Sequence, residues 1–315
     1  MKILRFRPAV RVYSGGQTKF LQEVYNKHYV GGFFLFVATA ETVGLLKDEY
    51  YTIAEKMFSK VFFFRAEPSS IPRNITYNSL PAVLVIKDNA VYEYEEGEMS
   101  LEEWVNRERW LMFPQITYGL LYDIGTCCDR FLVLIVSSLI ERAKKTSAAK
   151  KFEETALTAL KKYHDVLHPK FQFGWLDGNE MANSIVLGTA PIPSLLVFNV
   201  TSYEYYLPDD NPQHITPESL LVFLQSIANG TREKFGGKSV VQRVKRAGFE
   251  AYSTVHSMFT NQPLLCICLF GLPLGLLSII CYSLCSADLS DENNQQEYFR
   301  DSDSELEDES HEKID

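Results

Sequence analysis

The spacing of apolar residues over roughly the first 110 positions changes in a regular order. Phe20, Leu21, Val24 and Tyr25 repeat at helical intervals within 18–28, and Gly32–Ala38 (GFFLFVA) is then continuously apolar. A run of that length predicts a strand covered on both faces of a sheet. Leu46, Tyr50, Ile53 and Met57 predict a helix over Leu45–Phe58, and Val61–Phe64 is a short aromatic strand. Ala82–Lys87 and Ala90–Tyr94, split by Asp88-Asn89, predict a hairpin. Ser100-Leu101-Glu102-Glu103 is a capping box that opens a closing helix through Trp104.

The order then starts again. Phe131–Val136 (FLVLIV) is a second continuously apolar strand, and Phe152, Ala156, Leu160, Tyr163 and Leu167 give Ala148–Leu167 one apolar helical face. Phe171–Trp175 is the next strand, Asn179–Val186 a short helix, and Ser194–Asn199 with Tyr203–Leu207 a hairpin. Thr216 is an N-cap and Pro217 the first residue of a helix reaching Ile227. Two similar α/β repeats fit the 315 residues better than one large domain.

A different pattern follows. Pro263–Cys285 (PLLCICLFGLPLGLLSIICYSLC) is 23 residues without a charge. As a helix it covers about 35 Å, enough for a hydrocarbon core of about 30 Å. It predicts a single membrane span. Residues 286–315 form an acidic tail too polar to fold alone. From Ala287 onward there are twelve acidic residues against Arg300 and Lys313, whereas the preceding chain carries 29 basic and 28 acidic residues. The net charge of −9 therefore belongs to the tail. A nearly neutral body with no basic block gives no reason to expect nucleic-acid binding. Hydrophobic residues at 46% exclude wholesale disorder, and six cysteines are too few for a disulfide-built scaffold. Met1–Arg7 is basic but no apolar run follows it, so it does not read as a signal peptide.

Leu80-Pro81-Ala82-Val83-Leu84-Val85 and Ile192-Pro193-Ser194-Leu195-Leu196-Val197 each place a proline directly before the hairpin strand, 112 residues apart. Proline suits the first residue of a strand, and Pro81 and Pro193 are expected to be cis. Apolar strand, helix, strand, helix, then proline, hairpin and helix is the order of the thioredoxin fold. Phe171-Gln172-Phe173-Gly174-Trp175-Leu176-Asp177-Gly178 resembles the third strand and turn of non-catalytic domains in protein disulfide isomerases. With the C-terminal span, the chain resembles the thioredoxin-related transmembrane proteins as far as about Ser286.

The resemblance implies an α/β protein with two tandem thioredoxin-like domains. Residues 8–110 form a non-catalytic domain and 111–229 a second one that binds clients. A linker at 230–262, the span at 263–285 and the disordered tail follow. The resemblance further implies folding proteins of the endoplasmic-reticulum lumen, or other chaperones, as partners. Pro193 with Phe171, Phe173 and Trp175 would be the contact surface. In such proteins a catalytic domain precedes two repeats of this kind, so the chain reads as beginning where that domain ends, with the active isomerase of the parent residing upstream.

Thiol–disulfide exchange in this fold needs Cys-x-x-Cys at the start of the helix after the buried strand, where the dipole stabilises a thiolate. The corresponding segments are Ala38–Leu45 (ATAETVGL) and Ser137–Lys144 (SSLIERAK), and neither holds a cysteine. The chain is expected to be redox-inactive and to need no cofactor. Adjacent Cys127 and Cys128 are expected as separate thiols, because a vicinal disulfide is strained. Cys266, Cys268 and Cys281 lie in the span, and Cys285 at its end is a palmitoylation candidate. His164 and His168 have metal-ligand spacing but no third partner, so a solvated helix face and no metal are expected.

Asn74, Asn199 and Asn229 begin glycosylation sequons, all on one side of the span. Two arguments on topology oppose each other. The sequons and the resemblance place the body in the lumen of the endoplasmic reticulum and the tail in the cytosol. Arg243, Lys245 and Arg246, on the body side of the span, argue the reverse by the positive-inside rule. In the tail, Ser302 and Ser304 each have an acidic residue three positions on. Glu312 and Lys313 occupy the places of a dilysine retrieval signal, only one of them as lysine.

Overall fold

The structure is a computed structural model that describes residues 9–284, apart from Ser14, Leu21, Gln22, Tyr25, Tyr29, Val30 and Lys145. The helical contacts expected of Leu21 and Tyr25, the modification site at Cys285 and all the features of the tail lie outside the described residues. The chain divides into two compact units, one up to Lys245 and one from Arg246.

The first unit contains two five-stranded sheets. In the first repeat the elements are β1 (Val10–Tyr13), β2 (Phe33–Val37), α1 (Leu45–Met57), β3 (Phe62–Ala66), β4 (Ala82–Lys87), β5 (Ala90–Glu93) and α2 (Leu101–Glu108). Their sheet order is β1-β3-β2-β4-β5, with β1, β3 and β2 parallel and β4 and β5 antiparallel. Every residue of β2 is buried, which is why the strand reads as unbroken apolar sequence. One face packs on α1 and α2 through Phe34, Phe36, Tyr50 and Trp104; the other holds Phe20, Phe33, Leu35 and Leu84. The buried Tyr50 hydroxyl donates to the Phe64 carbonyl at 2.9 Å, so its polar end is satisfied. At the start of α2, Ser100 and Glu103 make the reciprocal bonds of a capping box.

The second repeat contains α3 (Tyr118–Cys127), β6 (Phe131–Ser137), α4 (Leu139–Ala143), α5 (Ala148–Lys162), β7 (Phe171–Asp177), α6 (Glu180–Val186), β8 (Ser194–Asn199), β9 (Glu204–Tyr206), α7 (Pro217–Ala228) and β10 (Phe235–Gly236). The order is β10-β9-β8-β6-β7, with one parallel pair, β6 and β7, where the first sheet has two, and again an antiparallel hairpin side. Where the first sheet has β1 beside β3, the second has only an isolated parallel bridge from Gln115 to Trp175. Ile116 N–H donates to Trp175 O, and Trp175 N–H to Pro114 O. Gly174 makes this close approach feasible: a Cβ there would lie 2.5 Å from Ile116 Cγ1 and 3.0 Å from Pro114 O.

Several elements carry no strong sequence signal. Short β1 and β10 and the helices α3 and α4 belong to this group. The expected helix over Ala148–Leu167 breaks at Tyr163 (φ −119°, ψ 29°), and His164–Leu167 is a separate turn. The stretch read as linker contains β10 and a 22-residue helix, α8 (Val240–Asn261). In the second compact unit, α9 (Pro263–Leu284) is a helix long and apolar enough to cross a membrane.

Candidate functional site

In each repeat the central strand delivers the chain to a helix start lying opposite a proline. Val37 pairs with Ala82 and Val136 with Ser194, so Ala38 and Ser137 come level with Pro81 and Pro193. The Leu80–Pro81 and Ile192–Pro193 peptide bonds are both cis.

The first helix start carries no reactive side chain. Arg65 Nη2 donates to Thr39 O at 2.7 Å, Thr39 and Thr42 share a hydroxyl bond at 2.9 Å, and α1 begins after Gly44 without a side-chain cap. At the second, Ser138 Oγ accepts from Glu141 N–H and Asp177 Oδ1 from Leu139 N–H at 3.0 Å. These bonds occupy amides that a thiolate would otherwise use. Ser137 and Ser194 hydroxyls are buried there without a protein partner among the described residues.

Around that second helix start the surface is apolar. Leu139, Ile140 and Ile192 are 56%, 72% and 41% exposed, while Pro193 is half-buried. The side chains expected to line a contact surface lie elsewhere: Phe171, Phe173 and Trp175 are core, at most 7% exposed. β7 is an inner strand between β6 and the Gln115 bridge, and α5 and α7 cover the face that these three alternate residues share. The Arg142 guanidinium lies 3.6 Å above the Trp175 ring and is held there by a two-pronged bond to Glu153. Exposed Leu139, Ile140 and Ile192 were not singled out by sequence. Two consecutive apolar residues directly after an N-cap serine were the available signal.

The structure also differs from expectation at two polar positions. Cys127 and Cys128 are joined as a vicinal disulfide at the end of α3, instead of standing as separate thiols. Here the helix stops, and Cys128 leaves helical geometry (φ −142°, ψ 12°), bringing the two sulfurs together. His164 and His168 do not sit on a solvated face. The break at Tyr163 turns them toward the first repeat, where the His164 ring stacks on Tyr92 and on His168.

His168 joins a buried charge cluster between the repeats. Lys87, the last residue of β4, donates from Nζ to Glu108 Oε2 at 2.8 Å and to the carbonyls of Glu108 and Trp110 at 2.9 Å. Glu108 Oε1 meets Arg107 Nε at 3.1 Å and His168 Nε2 at 2.7 Å. Arg130 Nη1 donates to Gln172 Oε1 at 3.1 Å, and the Gln172 amide to Leu111 O at 2.8 Å. Burial lowers the Lys87 ammonium against the pull of Glu108. Burial alone would raise the Glu108 carboxyl, but the His168 bond and the Lys87 charge outweigh it and hold the group well below the usual carboxylate range. Burial pushes His168 down to about 4 against its bond to Glu108, so the ring is neutral and donates from Nε2. Every polar end of the Lys87–Glu108 pair is thus engaged, which makes the cluster a joint between the repeats. Among the described residues, no group of three His, Cys, Asp or Glu is placed to hold a metal.

The sequons differ in access. Asn74 and Asn229 are exposed, whereas Asn199 uses Oδ1 to accept from Thr201 N–H and Ser202 N–H in the β8–β9 turn.

Two sheets of this order, each with a cis-proline opposite a central-strand helix start, define a tandem thioredoxin-fold protein. Comparison with known proteins narrows the class. The chain is 35% identical over 261 residues to protein disulfide-isomerase TMX3 of Xenopus laevis (82% of this chain, 55% of that protein). It is 33% identical over 270 residues to the Homo sapiens protein of that name (85% and 57%) and 34% over 269 to that of Mus musculus (84% and 56%). The chain is thus TMX3-like in sequence over more than four fifths of its own length, and spans just over half the length of these curated relatives. No family model matches it. Among solved structures, a bb fragment of ERp72 is similar at 11% identity and TM-score 0.48 (72% of this chain, all of that one). Zinc-bound human ERp44 is similar at 10% identity and TM-score 0.44 (72% and 62%).

Proposed function

We propose that this chain is the non-catalytic, membrane-anchored part of an endoplasmic-reticulum protein disulfide isomerase and binds folding clients or partner chaperones through its second repeat. Residues 8–110 and 111–229 act as its two thioredoxin-like domains, α9 as a single span, with the body lumenal and the tail cytosolic. Asn74 and Asn229 are the sequons suited to glycosylation. The observation that carries the reading is the second helix start, where exposed Leu139 and Ile140 follow Ser138, exposed Ile192 precedes the cis-Pro193 opposite, and no cysteine is present. An apolar patch beside engaged backbone donors suits contact with unfolded chain and lacks the low-pKa thiol that exchange requires. The test is binding of scrambled ribonuclease to the detergent-solubilised chain. Ile140→Asp and Leu139→Asp should weaken binding with unchanged circular dichroism; unchanged binding refutes the site.

A second reading, thiol exchange by this chain itself, draws on the Cys127–Cys128 bond. Ribonuclease refolding above a thiol-only control, abolished by Cys127→Ser/Cys128→Ser, would establish it. Background activity would refute exchange by this chain.

A further inference from the structure

Helix α8, which precedes the span, carries an exposed apolar face. No residue from Val240 to Asn261 is buried. Val241, Val244, Tyr252, Val255 and Phe259 follow one another at spacings of three, eight, three and four, and their exposures run from 38% to 67%. At 100° per residue they fall on one side of the helix, with Gly248 and Ala251 between them, while Ser253 stands opposite Val244. Arg243 and Lys245 project about 100° to either side of Val244 and so flank the apolar stripe. A stripe bordered by long cations is the pattern of a helix lying in a membrane interface, with apolar side chains in the acyl boundary and charges at the phosphates.

The connection to α9 fits that placement. Gln262 leaves helical geometry (φ −140°, ψ 64°) before Pro263. The rings of Phe259 and Phe270 then stack 6.3 Å apart. Eleven residues of unbroken helix would separate them by about 16 Å. The helix axis therefore turns sharply where α8 meets α9, so that α8 does not prolong the span. These same basic residues stand against the positive-inside rule for a lumenal body; holding anionic headgroups gives them a role on whichever side they lie.

We propose that α8 is an interfacial membrane-binding helix that inserts the Val241–Phe259 stripe beneath the headgroups and holds anionic phospholipid with Arg243 and Lys245. This rests on α9 spanning the bilayer, which is tested separately: the full chain in vesicles should resist alkaline carbonate extraction, and extraction would refute the span. The helix itself is tested with Val244→Trp and Ser253→Trp in vesicles of phosphatidylcholine, with and without phosphatidylserine, containing lipid brominated high on the acyl chain. Emission added by Val244→Trp should be blue-shifted and quenched, and that added by Ser253→Trp should not. Adding Arg243→Gln/Lys245→Gln should lower the ratio of docked to undocked helix roughly thirtyfold in phosphatidylserine vesicles, at about 1 kcal/mol per cation. Absent quenching at both positions, or equal quenching at both, overturns the proposal. Crosslinking between chains at position 244 without quenching assigns the stripe to a second copy, and overturns it too.

Discussion

Acidification should loosen the joint between the repeats through His168. The side chain is 15% exposed, with Nε2 2.7 Å from Glu108 Oε1, and its partial burial pushes its pKa down to about 4. In the unfolded chain the value is about 6.5. Between those limits the unfolded chain binds more protons, so stability is full above about pH 6.5 and is lost as pH falls toward 4. The complete shift corresponds to about 3 kcal/mol, of which about 2 kcal/mol is gone at pH 5 relative to pH 7. Glu108, held below its ordinary range, adds a loss of the same sign only at lower pH. Urea unfolding in detergent, followed by tryptophan fluorescence, measures this, because Trp104, Trp110 and Trp175 all lie in the body. The comparison is His168→Gln, whose amide still donates to Glu108 but does not titrate. The parent should lose about 2 kcal/mol more than the variant between pH 7 and pH 5. Equal losses would refute the assignment to His168.

Lys87→Met should cost about 3–5 kcal/mol in the same assay by leaving Glu108 short of its principal cation; adding Glu108→Gln should recover a good part of it. Gly174→Ala should destabilise by about 1–3 kcal/mol, since its Cβ meets Ile116 and Pro114 O. Ser100→Ala removes the oxygen bonded to Glu103 N–H and should cost about 1 kcal/mol. Ser138→Cys should create a thiol titrating no lower than the ordinary value of about 8.5, because Asp177 sits at that helix start; peptide mass spectrometry of iodoacetamide alkylation across pH reads it, and a midpoint below about 7 would contradict the reasoning.

The fold was largely legible because its central strands are buried on both faces. β2 and β6 are unbroken apolar runs that no amphipathic helix would produce, and the Ser100 box and Thr216-Pro217 mark helix starts by local chemistry. What escaped depends on tertiary position. The Gln115–Trp175 bridge has no periodicity to show, and α3 carries apolar residues on more than one side. Lys87 ends an apolar strand and reads as a solvent marker, yet the second repeat closes over it. The burial of three residues of the expected contact surface has a related reason: Phe171, Phe173 and Trp175 are aromatic because they fill a core, and only neighbouring elements decide which aromatic residues reach solvent.

The second helix start combines engaged backbone amides and no cysteine with an exposed apolar surface, and the two have one structural origin. Helix α4 has only five residues, so few peptide dipoles align behind its first amides, and Ser138 and Asp177 already use two of those amides. A negative carboxylate at that position opposes a thiolate, where a free amide would favour it. With the donors closed off, what remains toward solvent is Leu139 and Ile140, with Ile192 from the turn before β8. Fully burying such side chains yields roughly 1.5–3 kcal/mol each. They are already partly covered, and association itself costs at least about 4 kcal/mol. For these three side chains alone the two nearly cancel, so the contact they supply by themselves is weaker than millimolar. On the proposed client-binding reading, a weak, sequence-tolerant contact would let each partly folded client leave once its own core closes. If α9 spans a bilayer as proposed, holding the chain at the membrane surface would raise the local concentration of such contacts and make weak ones effective.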